Sequence, residues 1–179
     1  MVEKVKKILD KRESKILKDD KRKSSAVLIP LFEKDNKIHL LFTKRNSTVT
    51  FHKGQICFPG GASDLKDSSL EETALRETEE EIGVLPEDVL ILGRLDDRYT
   101  LTSNFIISPF VGKIQYPYPF KINYQEIDKI LEVPLSRLVE ENNNSIDNSY
   151  YYNGEEIWGA TAIILTQFLY IIRGEKVWT

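Results

Sequence analysis

Residues 68–84, SSLEETALRETEEEIGV, constrain the fold more than any other stretch, because they read as a helix with a chemically loaded face. Leu75, Thr78 and Ile82 share one side at helical spacing, and Gly83 stands where a left-handed C-terminal cap is expected. At ~100° per residue, Glu77, Glu80 and Glu81 fall within about one quadrant while Glu79 points away. The pairs Glu77–Glu80 and Glu77–Glu81 each destabilise an isolated helix by ~0.2–0.5 kcal/mol, a sign that a bound cation reverses. Carboxylate oxygens are hard ligands, so the cofactor this face suits is Mg²⁺ or Mn²⁺. Such ions are shared with substrate phosphates, which points to phosphate-ester or diphosphate substrates. Arg76 can pair with Glu72 or Glu80 and hold one carboxylate in a fixed rotamer. In a chain that is 30% charged, the same acidic run also reads as a solvated face. The preceding loop, FPGGASDLKDSS, adds context: Gly60 and Gly61 after a strand let backbone groups approach a ligand closely.

The rest of the chain predicts a mixed order of strands and helices. SAVLIPLFE and IHLLFTK, joined by DNK, read as a hairpin; QICF, VLILGRLD and FIISPFVGKI are further strands. A short helix is expected to open at Pro134 in VPLSRLVEE, EENNNSIDNS is a polar loop, and residues 159–172 form a mostly apolar closing helix. The expected class is α/β (α+β), a largely antiparallel mixed sheet sandwiched between helices.

Residues 1–23 carry a charge of +5 and the remainder −8. Val5, Ile8, Leu9 and Ile16 fall at helical spacings, which predicts a basic amphipathic helix over 1–23 ahead of a domain over 24–179. A solvated helix and a contact with an anionic ligand or nucleic acid both fit that arm. The net charge of −3 and pI of about 5.6 exclude a whole-protein electrostatic footprint for nucleic acid. At 179 residues the chain suffices for one domain. Cys57 is the only cysteine, so no intramolecular disulfide or cysteine-rich zinc site forms, and between Ile56 and Phe58 it reads as a buried, inert thiol. No apolar run suits a signal peptide or membrane span, so a cytoplasmic location and no membrane partner are expected.

Arg76-Glu77-Thr78-Glu79-Glu80-Glu81-Ile82-Gly83-Val84 resembles the second half of the Nudix hydrolase signature, Arg-Glu-(apolar)-x-Glu-Glu-x-Gly-(apolar), with Thr78 at the first apolar position. The first half departs: Ser68 stands where a Glu is usual and Ala62 where the Gly is usual, and the loop after Gly60-Gly61 is one residue longer. That loop, and the stretch upstream, resemble the coenzyme A pyrophosphatase subgroup. Leu40-Leu41-Phe42-Thr43-Lys44-Arg45-Asn46, Gly54 and Phe58-Pro59-Gly60-Gly61 follow its pattern, with Phe42 inserted, Asn46 for a small residue and Thr50 for a second Arg. Ile157-Trp158-Gly159 with Thr161-Ala162 also looks like this subgroup.

The resemblance implies a Nudix-like α/β/α sandwich and hydrolysis of a nucleoside diphosphate derivative. Its site residues would be the carboxylates of Glu77, Glu80 and Glu81, the carbonyl of Gly61 as a further metal ligand, and Glu126 as base or ligand, a position that a surface carboxylate also explains. For coenzyme A the products would be 4′-phosphopantetheine and adenosine 3′,5′-bisphosphate. Arg45, Lys44, His52 and Lys53, with Gly60 and Gly61, are the candidate binding residues, Arg45 foremost. Solubility also explains Lys44 and Lys53, a structural role explains His52, and His39 carries no functional argument. The aromatics of YPYPF at 116–120 could stack on adenine, line a pantetheine channel or pack on one another. NADH or ADP-ribose in place of coenzyme A, and a non-catalytic nucleotide-binding module, are the alternatives. A homodimer is compatible with all of these.

Overall fold

The computed structural model describes residues 2–47, 53–100, 103–144 and 149–173, without the side chains of 141–144. Its centre is an eight-stranded sheet. β1 (Lys23–Lys34) and β2 (Lys37–Arg45) form a hairpin about Asp35 and Asn36, which adopt φ of 51° and 58°. They pair only over Leu31–Lys34 with Lys37–Leu40 and then diverge. Into that split comes the segment carrying β3 (Ile56–Cys57) and β4 (Gly60–Ala62): β3 pairs β2 through Thr43↔Cys57, and β4 pairs β1 through Ala26↔Gly61. The wedge is fastened by the Leu28 N–H donating to Pro59 O at 2.9 Å and by Phe58 stacking on Phe42 at 4.7 Å.

On its other edge β1 runs parallel to β7 (Phe105–Ile114), which pairs antiparallel with β5 (Val89–Arg94) and β6 (Arg98–Tyr99). The far edge of β2 takes β8 (Ile127–Pro134). α2 (Leu70–Ile82) covers one face, over Phe32, Leu41, Ala26, Leu28 and Phe110. Packed on the opposite face are α1 (Val2–Asp10), α3 (Leu135–Asn144), α4 (Gly159–Arg173) and the hairpin of β9 (Tyr150–Tyr152) and β10 (Glu155–Ile157). The expected α/β/α sandwich is the observed one. None of the helices among the described residues is long and apolar enough to cross a membrane.

The arm differs from the helix expected over 1–23. α1 ends at Asp10, and its apolar face is fully docked, with Val2, Val5 and Leu9 buried in the main core. Beyond it the backbone is committed elsewhere: the N–H groups of Lys15 and Leu17 donate to the Asp96 and Asp97 carboxylates, and Arg12 pairs with Asp96. A helix would satisfy those N–H groups within itself, so tertiary partners override the periodicity, and Ile16 is left exposed.

Candidate active site

α2 is fixed at both ends by its own sequence. Ser69 caps it by accepting from the Glu72 N–H, Glu72 accepts in return from the Ser68 N–H, and Gly83 closes the helix at φ 72°, donating to Glu79 O. Thr78, in place of an apolar residue, is completely buried and satisfies its hydroxyl on Ala74 O at 2.6 Å. The helix therefore carries Glu77 and Glu81 across the mouth of the wedge.

Gly61 lies directly under Glu77. A Cβ there would stand 2.2 Å from Glu77 Oε2, so only glycine admits the carboxylate against the β4 backbone. Gly60 is equally constrained, at φ 151° with a hypothetical Cβ 2.3 Å from Ala26 O. Glu81 is the buried member of the set, with 2% of its side chain exposed. Burial pushes its carboxyl up to about 8, Glu77 and Glu126 add to the rise, and Arg45 and the Gly60 amide oppose it. Glu77 is also raised, chiefly by burial, against the pull of Arg76. Glu126 is held nearby: its carbonyl accepts from the Asn46 N–H at 2.7 Å and its Oε1 accepts from Asn123 Nδ2 at 3.2 Å.

The three carboxylates do not converge as the helical wheel suggested. Arg76 draws Glu77 to 2.7 Å and Glu80 to 3.3 Å, and the Glu80 side chain stays 56% exposed. Among the described residues no three carboxylate, imidazole or thiol groups are gathered closely enough to hold an ion. A guanidinium occupies the position between two of the acids, because it neutralises the repulsion that the wheel creates. Arg76 is itself fixed by Asp67, through Nε–Oδ1 at 2.9 Å and Nη2–Oδ2 at 3.0 Å, and donates to Ala62 O. Asp67, held well below the usual carboxylate range by that Arg76 hydrogen bond, is a neighbour of the acidic helix that sequence reasoning missed. Its one signal was an acid in the loop just before the cap.

A divalent cation fits the residues present. Glu81 Oε2 is buried without a hydrogen-bond partner, the Gly61 backbone is cleared for approach beside Glu77, and every available donor is a hard oxygen.

The candidate cations separate. Arg45 reaches the site, with Nη1 3.4 Å from Glu81 Oε1. Lys44 does not: alternation along β2 turns it to the opposite face, where Glu155 of β10 holds it at 2.8 Å and also binds Lys129. Its ammonium thus lies apart from the Arg45–Glu81 pair. Lys53 is exposed on a turn, and His52 and Thr50 lie outside the described residues. Cys57 is half-buried rather than buried, and desolvation of its sulfur pushes the thiol up to about 11. Tyr116 stacks on Phe32 at 4.8 Å, and Tyr118 and Phe120 pack into the same cluster, so these aromatics pack on the fold itself. His39 is buried and stacks on Phe32.

A family model described as the NUDIX domain matches residues 22–148. The chain belongs to the Nudix family. A Photorhabdus laumondii protein described as uncharacterized Nudix hydrolase NudL is 36% identical over 159 residues, covering 83% of this chain and 84% of its own. Nudix hydrolase 3 of Caenorhabditis elegans is 29% identical over 181 residues, covering 86% and 75%. In fold, the Nudix chain is similar to a C. elegans Ap4A hydrolase in a binary complex, with TM-score 0.60 and 16% identity over 85% of this chain and 98% of that one. It is also similar to the NUDIX domain of Shewanella oneidensis NrtR complexed with ADP ribose, with TM-score 0.53 and 20% identity over 69% and 79%.

Proposed function

We propose that this Nudix protein hydrolyses the diphosphate linkage of an adenosine diphosphate derivative, and that coenzyme A or one of its derivatives is the substrate. One observation carries the reading: Arg45, from the stretch that resembles the coenzyme A subgroup, meets Glu81, from the Nudix helix, at 3.4 Å. Two motifs separate in sequence thereby form one site.

Glu77, Glu81 and Glu80, with the Gly61 carbonyl, would hold Mg²⁺ or Mn²⁺, which when bound neutralises diphosphate oxygens and acidifies water. The chain's own groups do the rest. Arg45 leaves Glu81 for a phosphate oxygen, a stronger bidentate partner than a carboxylate at that length. Arg76, braced by Asp67, keeps Glu77 and Glu80 in fixed rotamers beside the wedge. Glu126 accepts a proton from the attacking water as its oxygen bonds to phosphorus and the bridging P–O bond breaks, the departing phosphate taking the electron pair. With coenzyme A the products are 4′-phosphopantetheine and adenosine 3′,5′-bisphosphate.

A second reading, with NADH, ADP-ribose or another dinucleotide as substrate, is favoured by one observation. Lys44 is committed to Glu155 and Thr50 replaces the subgroup's second Arg, which leaves fewer cations for a 3′-phosphate. Mass spectrometry of products from coenzyme A, dephospho-coenzyme A, NADH and ADP-ribose, with Mg²⁺ or Mn²⁺ and a chelator control, tests both. Metal-dependent release of 4′-phosphopantetheine, faster with the 3′-phosphate than without it, is expected. Cleavage of NADH or ADP-ribose alone selects the second reading, and no cleavage at all selects a nucleotide-binding module.

A further inference from the structure

Two asparagines hold the turn that carries Glu126. Asn123 engages every polar group it has. Its N–H donates to Glu81 O at 2.9 Å, its carbonyl accepts from the N–H groups of Glu126 and Ile127 at 3.0 and 2.9 Å, and its Oδ1 accepts from the Gln125 N–H at 3.1 Å. Those bonds close the turn and tie it to the end of α2. The last bond is one the turn does not need: Asn123 Nδ2 donates to Glu126 Oε1 at 3.2 Å.

The other anchor is Asn46, directly after Arg45. Its N–H donates to Glu126 O at 2.7 Å and its Nδ2 donates to Tyr124 O at 2.9 Å. Arg45 itself stands opposite Ile127 where β2 meets β8. The turn therefore hangs between the residue that follows Arg45 and the carbonyl of Glu81, so the Glu126 backbone is placed relative to both members of the Arg45–Glu81 pair. Its half-buried side chain answers to Asn123. Among the described residues Asn123 is the only hydrogen-bond partner of the Glu126 carboxylate, and no cation pairs with it. An amide is what this place requires, since the turn needs an acceptor and the carboxylate a donor, and asparagine supplies both on one branch.

We propose that Asn123 is a positioning residue for the base: its amide holds Glu126 Oε1 and leaves Oε2 to take the proton of the attacking water as the water oxygen bonds to phosphorus. The inference rests on the diphosphate-hydrolase reading with Glu126 as base. A misplaced base slows the chemical step without loosening the grip on the nucleotide, so the loss falls on kcat more than on KM.

Asn123→Asp keeps the size and the acceptor for Gln125, and turns the donor into a carboxylate oxygen facing Glu126 Oε1. Two double-mutant cycles with Glu126→Gln read the contact and its use separately. In chelated protein, N123D is expected to lower the melting temperature and N123D/E126Q to recover it, since the introduced glutamine amide donates to the introduced carboxylate. In Mg²⁺, with whichever of coenzyme A, NADH or ADP-ribose is cleaved, N123D is expected to lower kcat about 10–100-fold with KM little changed. E126Q lowers it about 10²–10⁴-fold, and the double variant is no slower than E126Q alone. N123S, which keeps an oxygen for the Gln125 N–H and withdraws the amide, replaces N123D if that variant does not fold, and its kcat loss likewise vanishes beside E126Q. Melting shifts that add, or kcat losses that multiply, overturn the positioning role and leave the reaction reading in place. Wild-type kcat in E126Q removes Glu126 as base and the inference with it, while metal-dependent hydrolysis stands. A coupled melting cycle in a protein that cleaves none of the three keeps the contact but ends both the reaction reading and the positioning role.

Discussion

Arg45 Nη1 faces Glu81 Oε1 at 3.4 Å, a long contact for a cation beside a carboxylate that is 2% exposed. The second oxygen of Glu81 is buried with no partner, and so is Nε of Arg45. A pair this poorly satisfied is a weak contributor to stability, since desolvation of the two charges outweighs one long contact. It is suited instead to exchange partners, the arginine for a phosphate and the carboxylate for a cation.

The pH dependence of stability follows from the same pair. Glu81 is pushed from its ordinary 4.5 to about 8, and Glu77 moves in the same direction. The folded protein then binds these protons more tightly than the unfolded chain, so the folded state loses stability as pH rises from about 4.5 toward 8. Chelated protein is expected to melt at a lower temperature at pH 8 than at pH 5.5, and Mg²⁺ to recover more at pH 8. Glu81→Gln, neutral at both values, should flatten the slope in differential scanning calorimetry. Asp67 works in the other direction but only in acid, where its hydrogen-bonded carboxylate must be protonated.

Turnover should separate from folding at the same acids. Glu81→Gln or Glu80→Gln is expected to lower kcat by orders of magnitude while the circular dichroism stays native, because neither change opens a cavity. Wild-type turnover in both variants would remove the carboxylates from the reaction.

Asp67 braces the guanidinium that holds Glu77 and Glu80. Asp67→Asn keeps the volume and removes the charge, so Arg76 loses its strongest partner while the helix cap on Ser69 remains. Supporting residues of this kind typically change metal affinity or activity by about 10–100-fold. The expected result is a higher Mg²⁺ concentration for half-maximal activity, with KM for the nucleotide little changed.

Much of this arrangement was legible in the chain. Gly83 announced the C-terminal end of α2, and Asp35-Asn36 between two apolar runs announced the β1–β2 turn, because cap and turn chemistry acts over a few residues. What escaped was whatever depended on distant partners. β8, Ile127–Pro134, mixes charged and apolar positions in an order that also suits a helix end, and only its pairing with β2 makes it a strand. The β9–β10 hairpin was signalled by Asn153-Gly154 between Tyr152 and Glu155, at φ 50° and 79°, yet strands of three residues carry too little alternation to be read. The convergence of Glu77, Glu80 and Glu81 was a statement about Cα directions, and the rotamers answer to Arg76 and Asp67 as well.

Gly61→Ala is the most local test of the wedge. The added methyl would lie 2.2 Å from Glu77 Oε2, so the carboxylate must leave or β4 must shift against β1. Overpacking of this kind costs about 1–3 kcal/mol. Activity should fall further than that loss of stability explains, and Glu77→Ala in the same background should recover melting temperature but not turnover.

Lys44 and Arg45, adjacent in sequence, should behave oppositely. Lys44 shares Glu155 with Lys129 on the face away from α2, so Lys44→Ala leaves Glu155 paired and removes a contact worth ~0.2–1 kcal/mol, with KM unchanged. Arg45 faces the diphosphate region, and a charged hydrogen bond of ~1.5–3 kcal/mol corresponds to a KM about 10–150-fold higher in Arg45→Ala. That variant also leaves Glu81 buried without its cation, which steepens the loss of stability toward pH 8. Steady-state kinetics on both variants decides the matter. If Lys44→Ala raises KM as much as Arg45→Ala does, the alternation that sends the two side chains to opposite faces of β2 is not what governs substrate binding.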